Sequence, residues 1–94
     1  MTDAQRAALE RLLGHAARDT GQSRRVANFL LAWWNAQECG GFDLTELWAV
    51  DDAIAADMVT VFGFIANTQR YPDTLGFEAA FAALVRQWRP NLRG

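Results

Sequence analysis

The segment from Gln22 to Cys39 constrains this chain more than any other. Val26, Phe29, Leu30, Trp33 and Ala36 recur at spacings of three and four, which places them on one face of a helix. Ala27 and Trp34 carry that face well past the usual apolar arc. Gln22 or Ser23 suits the start of such a helix and Gly40-Gly41 its end. A helix this apolar needs several neighbours in its own chain or cover from another molecule. Its polar edge is narrow: Arg24, Asn28 and Asn35, with Leu31 among them.

The neighbours can be read from the same periodicity. Thr2 or Asp3 can cap a first helix from about Ala4, with Leu9, Leu12, Leu13 and Ala16 on its apolar third and Arg11, His15 and Arg18 opposite. Asp19-Thr20-Gly21 ends it, with Gly21 expected in a left-handed cap. Asp43-Leu44-Thr45-Glu46 has capping-box spacing and predicts a short helix through Trp48. Asp51 is expected to cap a longer helix to about Asn67, burying Ile54, Met58, Val61, Phe62 and Ile65. Tyr71-Pro72-Asp73 breaks the chain, and a last helix from Asp73 or Thr74 to Trp88 presents Phe77, Phe81, Leu84, Val85 and Trp88 before Pro90 stops it. No segment alternates with period two. The expected class is all-α, a compact bundle of four main helices plus one short helix, forming a single domain over residues 1–94.

Charge and composition narrow the function. The net charge is −2, against a strongly cationic nucleic-acid binder. There is no apolar run of membrane-spanning length, and the first 20 residues hold Asp3, Glu10 and Asp19 with no apolar signal core. One cysteine, Cys39, suits a reducing compartment, so a cytoplasmic domain is expected. The charges are segregated: residues 1–25 carry +2, residues 26–67 carry −6 with no cation, and residues 68–94 carry +2. Either the basic ends fold back onto the acidic middle, or that middle meets a basic partner.

Catalytic and metal chemistry find little support. His15 lies four residues before Asp19, close enough for contact across one turn, but the pair is half of a catalytic unit at most. Cys39 sits at a helix C-terminus, where the dipole disfavours a thiolate. Asp52 and Asp57 fall about 140° apart on a helix at about 100° per residue, so they do not pair, and Asp51 is accounted for as a cap. No catalytic residue, cofactor or metal is therefore expected. The spacing over 43–67 is like that of a helix-turn-helix, yet the second helix opens Asp51-Asp52 and contains no Arg, which opposes phosphates.

Four tryptophans stand out. Trp33, Trp48 and Trp88 fit core faces, while Trp34 lies at the margin of the apolar arc, either core or an anchor for a partner. The candidate interface is Arg24, Asn28, Leu31, Trp34 and Asn35, an apolar anchor with a polar rim.

The run Asp19-Thr-Gly-Gln-Ser-Arg-Arg-Val-Ala-Asn-Phe-Leu-Leu-Ala-Trp-Trp-Asn35, with Cys39-Gly-Gly-Phe-Asp-Leu-Thr-Glu-Leu-Trp48, Tyr71-Pro-Asp-Thr-Leu-Gly76 and Trp88-Arg-Pro90, resembles a family of small bacterial proteins. That family, catalogued as a domain of unknown function, is associated with plasmids and integrative elements of proteobacteria. The resemblance covers nearly the whole chain, implies an accessory role in mobile-element biology, and brings no activity or site residue with it. The expected function is a non-enzymatic helical module acting through protein contacts, with itself as a possible partner. The alternatives are a nucleic-acid-associated regulator and, third, a small enzyme.

Overall fold

Thr2 opens the first helix with a reciprocal cap: its hydroxyl accepts from the Gln5 backbone N–H (3.0 Å) and its own N–H donates to Gln5 Oε1 (2.9 Å). In the computed structural model, which describes residues 1–92, this helix is α1, Asp3–Ala16. Ala8, Leu9, Leu12 and Ala16 are buried along it. α2, Gly21–Cys39, follows at once. Its cap is Thr20, whose hydroxyl accepts from the Ser23 N–H and shares a 2.8 Å hydrogen bond with the buried Ser23 hydroxyl. Gly21 is thus the first residue of α2 and not the left-handed end of α1. Among the described residues positive φ occurs at Gly40 and Gly76, where the lack of a Cβ makes it cheap.

A 3-10 segment, Leu44–Ala49, leads to α3, Asp52–Asn67. A second 3-10 turn, Pro72–Leu75, ends at the left-handed Gly76, so α4, Glu78–Trp88, starts later than the periodicity suggests. No strand occurs among the described residues, and the all-α class stands. α1 lies across both α2 and α3, and α4 packs on α2, whereas α2 and α3 meet only along a short stretch. One apolar cluster joins the four helices, with Phe81, Leu9, Leu12, Leu30, Leu31 and Met58 fully buried. Trp33 packs edge-on against Phe81 and Phe64, at centroid distances of 5.8 and 6.3 Å.

The chain ends are tied in by side-chain bonds. Trp88 Nε1 donates to the Ala16 carbonyl (2.8 Å), and Gln87 Nε2 donates to that of Arg18 (2.9 Å). The Arg89 guanidinium donates to the Cys39 and Trp88 carbonyls and to Asn28 Oδ1 (2.7 Å). Arg11 forms a bidentate pair with Asp57, both bonds 2.9 Å, so one Arg of the basic N-terminal part does fold onto an acid of the middle.

Asp51 precedes α3 but makes no side-chain cap. Its backbone and side chain are held by the tip of Gln22 instead: Oε1 accepts from the Asp51 N–H (2.6 Å), and Nε2 donates to the Asp51 carboxylate (3.3 Å).

Candidate functional site

The polar edge of α2 is an internal seam. Arg24 is exposed, but Asn28 accepts from Arg89, and Leu31 has no exposed surface. Leu31 is therefore a core residue, a correction to its expected place in an exposed rim. The residues that end α4 lie along this edge and close it. Asn35 leaves helical geometry (φ −165°, ψ 79°), and its Oδ1 accepts from the Glu38 N–H (3.2 Å), so it kinks α2 and caps the final turn. Trp34 is half-buried against the core and borders a polar surface cleft of about 580 Å³ that also touches Tyr71 and Asp73. Of the five expected residues, Arg24 and Trp34 remain at the surface with side chains that no internal hydrogen bond occupies; Asn28, Leu31 and Asn35 do structural work.

Of the large exposed side chains, Tyr71 (62%) borders that cleft and the other four lie elsewhere. Trp48 is 85% exposed, Leu44 66%, Val59 62% and Phe62 56%. Two of these overturn core assignments. Along the 3-10 segment residues three apart align, so Leu47 and Val50 turn inward while Trp48, beside Thr45, turns out. On α3 the core takes Ile54, Met58, Val61 and Phe64, with Phe62 left outside.

Leu44, Val59 and Phe62 gather on a shallow trough. Its floor is Phe29 of α2 and Met58 of α3, and Phe42, edge-on to Phe29 at 5.3 Å, stands at its side with Leu47. The cavity there is about 190 Å³. An adjoining one of about 250 Å³ shares Phe29, Phe42, Leu44 and Phe62, and extends toward Ala32, Trp33 and Ile65. The trough lies where α2 and α3 make few contacts, with the 3-10 segment at its side.

The rim is acidic. Asp43 caps the 3-10 segment between the lining residues Phe42 and Leu44, Glu46 precedes the lining residue Leu47, and Asp52 lies on α3 seven residues before Val59, about 20° from it around the helix. Asp43 accepts from both the N–H (2.9 Å) and the hydroxyl (2.8 Å) of Thr45. These bonds hold its carboxyl below the usual aspartate range, so it stays charged.

Candidate reactive groups are placed apart. His15 and Asp19 share no hydrogen bond among the described residues. Cys39 is buried, and burial pushes its thiol up, away from nucleophilic character. Among the described residues no three His, Cys, Asp or Glu side chains form a metal-binding group, and no helix is long and apolar enough to cross a membrane.

A family model described as a family of unknown function (DUF7673) matches residues 6–89, which takes in the trough and its whole rim. No curated protein and no solved structure matches the chain.

Proposed function

The chain belongs to the DUF7673 family of unknown function, and from that premise we propose that it is a non-enzymatic helical module that binds another protein through the trough between the 3-10 segment and α3. The observation that carries this reading is the grouping of Leu44, Val59 and Phe62 over one apolar depression. Large apolar side chains assembled on a small surface, with polar groups at the edge, are the ordinary form of a binding hot spot. Asn28 and Leu31 are engaged internally, which leaves Arg24 without the apolar anchor expected beside it, so the binding surface moves from α2 to α3. The resemblance to proteins of plasmids and integrative elements supports an accessory role in mobile-element biology.

The test is site-specific photocrosslinking in cells of the source organism. A photoreactive residue at position 62 or 59 should give a discrete cross-linked protein, and the same group at Arg18 or Ala83 should not. Equal products from all four positions, or none from 62 and 59, would overturn the reading.

A further inference from the structure

Building on that docking reading, we infer that the occupant of the trough is a cationic amphipathic helix of a different protein, its apolar side chains seated against Phe29, Phe42 and Phe62 and its Lys or Arg side chains meeting Asp43, Glu46 and Asp52.

The lining of the depression indicates side chains as the guest. The two adjoining cavities, about 190 and 250 Å³, are shallow apolar seats with few polar groups to orient a small molecule. They share four lining residues and so form a continuous strip, which suits successive anchors of one helix at i, i+3 or i+4 and i+7. No strand edge is present among the described residues to pair with an extended peptide.

The sign of the partner follows from the charges. Residues 26–67, which supply every lining residue of the trough, hold six carboxylates and no cation. Asp57 is neutralised by Arg11, and Asp51 is engaged by Gln22. Asp43, Glu46 and Asp52 have no cationic partner among the described residues. Exposed Trp48 on the same segment adds a π-face for an ammonium or guanidinium group. Self-pairing through this face would be isologous, setting each acidic rim against its own copy, so a second copy is the wrong occupant. Phosphate backbones are repelled for the same reason.

The experiment uses the full chain and three synthetic helical peptides of about 18 residues, or five turns. All three carry one leucine face; their polar faces are lysine, glutamine or glutamate. Binding is followed by amide chemical shifts. The lysine peptide should bind with shifts at Leu44, Val59 and Phe62, and the glutamate peptide at least about tenfold more weakly, a difference of about 1.4 kcal/mol. Raising the salt should narrow that gap. Phe62→Ser and, independently, Val59→Ser should each lower affinity for the lysine peptide by about tenfold or more. Both positions are exposed, so both variants should keep the wild-type melting curve. Combined Asp43→Asn, Glu46→Gln and Asp52→Asn should erase the preference for lysine while the glutamine peptide still binds.

Three peptides binding the trough equally would refute the cationic partner and leave the docking surface intact. Shifts absent from the trough with every peptide would refute both. A concentration-dependent dimer of the chain alone, abolished by Phe62→Ser, would refute the choice of partner in favour of a second copy.

Discussion

The two ends of the molecule use their polar and aromatic groups in opposite ways. Where α4 meets α1 and α2, the indole of Trp88, the amide of Gln87 and the guanidinium of Arg89 all donate inward to carbonyls or to Asn28. Where the 3-10 segment meets α3, Trp48 and Phe62 face solvent and no internal hydrogen bond uses the indole. The first end is built for cohesion. The second holds apolar surface that the fold does not require, and a fold that keeps such surface exposed gains nothing from it by itself. The contrast follows the packing: α4 packs on α2 more extensively than α3 does.

Mutations that separate the two ends test this contrast. The largest effect is expected for Phe81→Ala, which empties a fully buried site against Trp33 and should cost about 3–5 kcal/mol in urea unfolding. Phe62→Ala, the same chemical change, should cost less than about 1 kcal/mol. Similar losses would erase the distinction. Arg89→Ala should cost about 2–3 kcal/mol, because it strips charged donors from Asn28 and the Cys39 carbonyl. Arg89→Lys should recover only part, since an ammonium cannot span both acceptors with a planar fork. Gln22→Ala should cost about 1 kcal/mol by freeing the Asp51 N–H, and Asp51→Ala distinctly less, because its carboxylate makes only the long 3.3 Å bond. Trp48→Ala should change stability by no more than about 0.5 kcal/mol, and the wild-type emission should contain a component typical of a water-exposed indole.

The finest effect concerns pH. The Asp43 carboxyl titrates below its ordinary value because Thr45 hydrogen-bonds its charged form. Its contribution is therefore complete above the unfolded aspartate pKa of about 3.9 and lost as the pH falls through the lower folded value. Amide shifts of the 3-10 segment should follow that acid titration. Thr45→Ala, which removes the hydroxyl donor, should move the carboxyl titration upward, and an unmoved titration would show that the hydroxyl bond is immaterial.

Helix periodicity made most of the fold legible. Leu9, Leu12 and Ala16 on α1, Val26 and Leu30 on α2, and Phe81, Leu84 and Val85 on α4 all face the core as their spacing indicates. The boundary errors have local causes: Thr20 outcompetes Gln22 and Ser23 as cap, and the left-handed Gly76 delays α4. The candidate site was hidden for two reasons. α3 is apolar nearly all the way round, so spacing permits either Phe62 or Phe64 inside, and the fold packs Phe64 against Trp33 of α2. Segment 44–49 reads as an α-helix in sequence, and only 3-10 winding, three residues per turn, sends Trp48 outward. Leu31 was misplaced because its neighbours Arg24, Asn28 and Asn35 are polar, whereas Asn28 points at a partner 61 residues away that local spacing cannot see. What sequence did carry was the segregation of charge, which survives in the acidic rim.

The bonds made by Gln87, Trp88 and Arg89 join positions 50 to 72 residues apart. A ribosome must therefore have released the chain past position 89 before these contacts can form. Until then α1 and α2 emerge without their last neighbour, and Leu31 waits uncovered in the nascent polypeptide. Closing such long loops is entropically dear at the first contact and grows only slowly with further length. Folding of this domain should consequently complete only once position 89 is free to pack. A chain stalled or cut a few residues before position 87 should then accumulate as a loosened, protease-sensitive form.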